Sequence, residues 1–362
     1  MYNTFLTPGP SQLYFTFDFH LKQALSERIP SISPDGRKFK NIYQVLKNNL
    51  RTLLKLPDDY HILLLPSVHV AKEYAIRNLI VKESFHFING PYGAAFFDLS
   101  VVMGKKPLRM IALEGTGFDM ESQKLPENIG LIAITHNETF TGTQFPVSDI
   151  HTMREKYSDA LIILDVSSSL PFANLDFNII DCAWFSVHHG FGLPAGLAVL
   201  LVNEKCLIKS KHLHNKGLVQ GKYLSLDYLT RLEEHNLTPE TPNVLGVYLL
   251  SKVIEDMLYK GTDQIRRETE YKAALMYHLL ETHRSLLPFV NERAIRSKTT
   301  IVVEAGNVSF WKEYLKKQHF IIETVKGKLE KSHFLIANYP THSKESFEKL
   351  SDLLQAVEKP VS

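Results

Sequence analysis

The stretch WFSVHHGFGLPAGLAVLLV (residues 184–202) indicates how the middle of the chain folds. Its two ends are apolar runs typical of buried strands, and a glycine-rich bend with two adjacent histidines joins them. A bend between two buried strands lies at an edge of the sheet, where α/β proteins commonly place functional side chains. His188 and His189 are therefore candidate functional residues.

The sequence on either side alternates between the periods of strands and helices. Segments with apolar residues at helical spacing separate short apolar runs, which lie at 61–66, 84–89, 108–113, 129–135 and 160–166. This alternation predicts βαβ units around a mostly parallel sheet. After Pro242 two long amphipathic helices precede shorter alternating segments. We expect a large α/β domain over residues 1–255, with about the first 15 residues packing on the other domain, and a small α+β domain over 256–362.

The composition restricts the class of protein. Lys and Arg total 41 against 39 Asp and Glu, so the net charge of +2 gives no argument for a nucleic-acid or membrane partner. The two cysteines, Cys182 and Cys206, lie in or beside apolar runs and are expected to be buried thiols in a reducing compartment. The N-terminus lacks the pattern of a secretory signal, and the apolar runs are too short for a membrane span. We therefore expect a cytoplasmic globular protein.

Six motifs occur along the chain in an order that is typical of one enzyme family. They are TPGPSQLY (7–14), NETFTG (137–142), DVSSSLP (165–171), GFGLPAGLAV (190–199), TPETPNVLGVYLL (238–250) and IANYPTHSKE (336–345). Together they resemble phosphoserine aminotransferases, class V members of the fold-type-I enzymes that use pyridoxal phosphate (PLP). The resemblance implies a large domain around a mixed, mostly parallel seven-stranded sheet, a small C-terminal α+β domain, and a homodimer active in serine biosynthesis.

The resemblance also implies a set of cofactor-binding residues. Asp165, at the end of a predicted strand, matches the carboxylate that keeps the pyridine ring of PLP protonated. Thr139 matches a residue near the ring hydroxyl, Ser167 a residue near the cofactor, and Ser67 a phosphate ligand. Thr238 matches a threonine that reaches the PLP phosphate of the neighbouring subunit. An aspartate or serine at a strand end is also an ordinary helix cap, and that alternative stays open.

The position that should carry the Schiff-base lysine holds no lysine. The motif HHGFGLPAG places His188 at the family's glutamine and His189 at its lysine. With the family's shorter bend, the lysine position falls on Gly190. The nearest lysine along the chain, Lys205, lies beyond the next strand. A PLP aldimine therefore has no matching amine.

Other positions on the substrate and phosphate side also differ from the family. The phosphate-binding turn reads PSVHV, with Pro66 and His69 in place of a glycine and a threonine. Pro34 and Asp35 replace a His-Arg pair, and Leu335 stands where an arginine should bind the substrate carboxylate. Because these changes accompany the missing lysine, we expect ordinary transamination to be lost.

Three interpretations remain open at this point. In the first, the protein has no transaminase activity, and the cofactor is absent or held non-covalently. In the second, His189 acts as a base beside PLP or its amine form, which is held non-covalently. In the third, the chain is a non-catalytic partner or scaffold of an active paralogue. Under the third interpretation, a heteromer with the paralogue is expected as an alternative to the homodimer. The sequence does not identify a small-molecule ligand. No metal site is predicted, because adjacent residues of a strand point to opposite faces and His188 and His189 cannot then share an ion.

Overall fold

Helices and strands alternate along the chain in the computed structural model, which describes residues 3–120, 125–219 and 221–357. The strands are β1 (Thr4–Phe5), β2 (His61–Leu65), β3 (Phe85–Ile88), β4 (Leu108–Ile111), β5 (Leu131–Thr135), β6 (Asn137–Glu138), β7 (Thr143–Gln144), β8 (Leu161–Asp165), β9 (Cys182–Ser186), β10 (Ala198–Val202), β11 (Leu286–Pro288), β12 (Thr300–Ala305), β13 (Phe320–Ile321), β14 (Glu323–Thr324) and β15 (His333–Ala337). The helices are α1 (Phe17–Ser26), α2 (Arg37–Leu54), α3 (Val68–Leu79), α4 (Pro91–Val102), α5 (Val147–Lys156), α6 (Glu204–Asn215), α7 (Leu226–Glu234), α8 (Val244–Lys260), α9 (Thr262–Thr282), α10 (Val308–Lys317) and α11 (Lys344–Gln355).

Seven strands form the large sheet, in the order β2-β10-β9-β8-β5-β3-β4. Only β10 runs antiparallel to its neighbours, β2 and β9, and the other pairs are parallel. The α/β fold with a mixed, mostly parallel seven-stranded sheet is therefore confirmed. Nearly every residue of the central strands is buried, which agrees with their continuous apolar sequences.

Alternate residues of the central strands pack into two hydrophobic clusters, one on each face of the sheet. Ile162 and Leu164 of β8 belong to the cluster that contains residues of α2 and α8. Leu161 and Ile163 belong to the cluster that contains residues of α3 and α6. Because both faces are covered by helices, the rim of the sheet where strands end is left for polar residues.

The parallel strands β2, β5, β8 and β9 all end at the same edge of the large sheet. Their register sets Thr135 beside Asp165, and Asp165 beside Trp184 near the end of β9. Helix α3 begins directly after β2, and the bend with the two histidines follows β9. This edge therefore gathers the polar side chains that follow several buried strands.

A second sheet, of order β11-β12-β15-β14, packs with α9, α10 and α11 around its own apolar cluster. Strand β1 pairs in parallel with β13, and Leu6 joins the same cluster. The expected boundary between residues 255 and 256 lies within α8 and stays a prediction.

Two expectations from composition can be compared with the structure. Cys182 and Cys206 are both buried and unpaired, as predicted for structural thiols. Among the described helices, none combines the length and the apolarity that crossing a bilayer requires.

Candidate functional site

A cavity of about 230 Å³ lies at the edge where the parallel strands end. The turns after β2, β8 and β9 contribute most of its walls, and Tyr92 of α4 contributes a ring. Six of the predicted site residues line the cavity: Ser67, Thr139, Asp165, Ser167, His188 and His189. The structure thus brings these residues together, while the roles assigned to them stay predictions.

Asp165 has partners on both oxygens of its carboxylate. Its Oδ1 accepts hydrogen bonds from the backbone N–H (3.1 Å) and the hydroxyl (2.7 Å) of Ser167. Its Oδ2 lies 3.2 Å from the ammonium nitrogen of Lys72. Burial alone would raise the pKa of Asp165, but Lys72 and Ser167 outweigh burial and hold that pKa below its ordinary value. The aspartate is therefore ionised and already paired inside the protein.

Lys72 is the residue that sequence reasoning missed. It lies in the second turn of α3, with a side chain only 3% exposed, and its Nζ is 5.7 Å from the centroid of the Tyr92 ring. Lys205, by contrast, is 59% exposed and lies 4.0 Å from Asp181 beyond the other end of the strands. The sequence contains no signal of the burial of Lys72, because a lysine followed by a glutamate in a predicted helix is typical of a solvent-exposed face.

His189 is buried and bonded on one side of its ring. Its Nδ1 lies 3.2 Å from the Tyr339 hydroxyl, which donates its single proton to the carbonyl of Pro8 at 3.0 Å. The tyrosine oxygen can then only accept, so Nδ1 of His189 carries the proton and Nε2 carries the lone pair. Burial, with a smaller contribution from His188, lowers the pKa of His189 to about 3. The ring is neutral near physiological pH.

The expectation that the two histidines point to opposite faces is wrong. Both residues follow the end of β9 and lie in a turn, where the alternation of a strand no longer applies. Their rings stack with centroids 4.6 Å apart, and Nδ1 of His188 lies 2.5 Å from the Ser186 hydroxyl. Within the described residues, no group of three or more His, Cys, Asp or Glu side chains is arranged to hold a metal ion.

The end of the cavity near α3 offers groups suited to an anion. Ser67 is the N-cap of α3, and its hydroxyl accepts a hydrogen bond from the Val70 N–H. Asn137 donates from its amide nitrogen to Ser168 and Thr300, while its amide oxygen is buried without a hydrogen-bond partner among the described residues. The helix N-terminus favours negative charge, whereas the oxygen of Asn137 is an acceptor and suits a hydrogen-bond donor on a ligand.

Glu138 holds Tyr92 in place at the other side of the cavity. It is fully buried, and its carboxylate accepts hydrogen bonds from the backbone N–H groups of Tyr92 and Gly93 at the start of α4. Burial raises the pKa of Glu138 to about 7, although these two hydrogen bonds oppose the shift. Gly90 leaves room for this contact, since a Cβ atom there would come within 2.3 Å of the glutamate Cγ.

Other residues singled out in the sequence lie away from the cavity. Thr238 lines a neighbouring cavity of about 430 Å³, and its hydroxyl donates to the Glu240 carbonyl within its own loop. Leu335 is fully buried in an apolar cluster that also contains Phe140 and Tyr339. Pro34 and Asp35 form part of a surface turn before α2.

Acid should destabilise the protein through its buried histidines. Burial lowers the pKa of His86, His189 and His342 from 6.5 to about 3 and that of His136 to about 4. Between these values and 6.5 the unfolded chain binds more protons, so the free energy of unfolding should fall as pH drops through that window. Glu138 has a raised pKa and therefore has the opposite effect on stability, but it is one group against four histidines. Urea unfolding at about pH 7.5 and about pH 5 measures the difference.

The variant His189→Gln provides the control for this pH dependence. It removes one titrating ring, so it should reduce the slope of stability against pH by up to about 1.4 kcal/mol per pH unit. Equal or greater stability of the wild type at the lower pH would contradict the prediction.

Comparison with known proteins agrees with the fold. Residues 110–329 match the model of the class V aminotransferases, so the chain belongs to the class V aminotransferase family. Within this family it is phosphoserine aminotransferase-like. A crystal structure of a phosphoserine aminotransferase SerC from Cytophaga hutchinsonii is 37% identical, with 98% of this chain and 99% of that chain covered and a TM-score of 0.96.

More distant relatives carry the same description. A putative phosphoserine aminotransferase of Mycolicibacterium vanbaalenii is 27% identical over 270 residues, which cover 73% of this chain and 71% of the relative. The phosphoserine aminotransferase from Bacillus circulans subsp. alkalophilus is 18% identical, with coverage of 98% and 97% and a TM-score of 0.80, and this likeness concerns the fold. The resemblance found in the sequence is thereby confirmed.

The family implies PLP as cofactor, and the cavity fits only part of that molecule. The N-terminus of α3 with Ser67 suits a phosphate group. The ring end does not suit a protonated pyridine, because the single negative charge of Asp165 is already paired with the buried ammonium of Lys72. Among the described residues, no lysine lines the cavity. A PLP ring that is bound to a lysine and kept protonated by pairing with Asp165 therefore does not fit this site.

Proposed function

We propose that this class V aminotransferase protein does not catalyse lysine-dependent transamination and uses its cavity to bind a small molecule non-covalently. The observation that carries the proposal is His189, a neutral and buried imidazole at the position that matches the Schiff-base lysine. An imidazole has no primary amine, so it can neither anchor an aldehyde as an aldimine nor release one.

The substrate side of the cavity supports the same proposal. Aminotransfer requires the carboxylate of an amino acid or keto acid to be held, and a guanidinium does this best because it binds both oxygens. Leu335 packs among apolar side chains, and no arginine lines the cavity among the described residues. A substrate carboxylate in the cavity would therefore find no bidentate partner within residues 3–120, 125–219 and 221–357.

A second candidate function keeps His189 as a base beside PLP or pyridoxamine phosphate, held without a covalent bond. It is favoured by the lone pair on Nε2, which follows from the hydrogen bond between Nδ1 and Tyr339. The pKa of about 3 weighs against it, because a base this weak removes protons poorly near neutral pH.

The assembly and location of the protein are also part of this proposal. We infer a homodimer in the cytoplasm, in which the loop of Thr238 reaches the cavity of the other subunit. Thr238 is partly exposed and bonds only within its own loop, so it is available to a neighbour. An active paralogue could accept the same loop, and co-expression followed by sizing distinguishes a homodimer from such a heteromer.

The absorption spectrum of the purified protein tests the central proposal. After incubation with PLP, the protein should show no aldimine band that borohydride bleaches, and intact mass should show no reduced adduct. A lysine-containing relative treated identically is the positive control. A borohydride-stable adduct on Lys72, the buried lysine that is paired with Asp165, would overturn the proposal.

A further inference from the structure

We propose that Lys72 is an internal counter-ion that makes the cavity reject ligands with a protonated ring nitrogen and accept ligands whose ring is uncharged. The inference rests on the proposed non-covalent site and assigns its selectivity to one residue. It starts from the ion pair of Lys72 with Asp165, in which both side chains are at least nine-tenths buried.

The single negative charge of Asp165 is already paired with the positive charge of Lys72. Ser167 supplies two hydrogen bonds to Oδ1, and the Lys72 ammonium lies 3.2 Å from Oδ2. A protonated ring that approached Asp165 would place two positive charges beside a single negative one. Away from water such a surplus charge is strongly unfavourable, because little solvent remains to screen it.

Lys72 cannot easily withdraw from this position. Its backbone is part of α3, and the neighbouring residues Ala71, Tyr74 and Ala75 are buried against the large sheet. Its ammonium also lies 5.7 Å from the centre of the Tyr92 ring, within the range of a cation–π contact. A ligand that displaced the ammonium would leave it without either partner.

The same contacts argue against Lys72 as a substitute for the missing Schiff-base lysine. An ammonium bound to a carboxylate has no lone pair for attack on an aldehyde. Asp165 therefore holds Lys72 as a fixed positive charge. The cavity consequently suits a flat ligand with a neutral ring, and an anionic group on that ligand has Ser67 and the start of α3 available.

Two matched probes test this selectivity. One is PLP, and the other is its carbocyclic analogue, in which carbon replaces the ring nitrogen and every other group is unchanged. Titration calorimetry near neutral pH should show the wild type binding the analogue at least about tenfold more tightly than PLP. The variant Lys72→Met should reverse this order, because Asp165 then becomes free to pair with the ring nitrogen.

Further variants keep the test independent of folding. Lys72→Gln removes the charge but keeps a hydrogen-bond donor for Asp165, so it should shift the preference in the same direction if Lys72→Met fails to fold. Lys205→Met removes an exposed lysine outside the cavity and should leave the preference unchanged.

Each outcome has a defined meaning. Equal affinities in the wild type, tighter binding of PLP, or no binding of either probe to the wild type and both Lys72 variants would overturn the role of Lys72. PLP binding that is gained by a Lys72 variant and absent from the wild type supports the role of Lys72. A borohydride-stable adduct on Lys72 would overturn both this role and the proposed function, whereas equal affinities without that adduct leave the proposed function standing.

Discussion

Purified protein supplied with PLP, glutamate and phosphohydroxypyruvate is expected to form phosphoserine at least about 10²-fold more slowly than a lysine-containing relative. The proton shuttle that the lysine provides contributes about 10²–10⁴ in rate by itself. His189 is a weak base, and the missing amine also removes the covalent anchor. Coupled detection of 2-oxoglutarate measures the rate. A rate close to that of the relative would show that this prediction is wrong.

The exchange His189→Lys provides a matched control for the activity measurement. It restores an amine at the position after β9 but leaves Leu335 and the Lys72–Asp165 pair unchanged. We expect a borohydride-reducible adduct of this variant to be weak at best and its rate to stay low, because the substrate carboxylate and the ring nitrogen still lack partners. A rate restored by this exchange alone would assign the whole effect to position 189.

Removal of either partner of the buried ion pair is expected to destabilise the protein by about 3–5 kcal/mol. Lys72→Met leaves the Asp165 carboxylate without its counter-charge, and Asp165→Asn does the same to the Lys72 ammonium. The double variant removes both charges and should recover most of the loss. Urea unfolding of the four proteins gives the coupling free energy.

An exposed ion pair provides the control for this cycle. Arg231 and Asp227 lie four residues apart on α7, and the arginine side chain is 72% exposed. Their removal should change stability by no more than about 1 kcal/mol. If the double variant at positions 72 and 165 loses the sum of the two single effects, the buried charges are not coupled.

Much of the large sheet could be predicted from sequence because its strands are short, continuous apolar runs. The bounds expected for β2, β3, β5 and β8 agree with the structure to within a few residues. Helix α6, EKCLIKSKHLHN, was not predicted, because its many polar residues obscure the apolar stripe. The small strands β13 and β14 were missed since two residues carry no periodicity.

The candidate site was predicted in part, and the missing part has a physical cause. Strand-end residues such as Asp165 could be found because strand ends of parallel sheets converge. Lys72 could not be found this way, since a lysine followed by a glutamate in a helix is typical of a solvated face. Its burial depends on the carboxylate across the gap between α3 and β8, which is a tertiary contact. The orientation of His188 and His189 was also mispredicted, because it depends on the residue at which β9 ends.

The ion pair of Lys72 and Asp165 also bears on how this sequence can evolve. A change at either position alone passes through a protein with an unpaired buried charge, so selection for stability opposes each single step. The two positions should therefore change together among close homologues. A lineage that acquires a lysine at position 189 would gain little until residue 72 also changed, which makes the effects of these substitutions strongly epistatic.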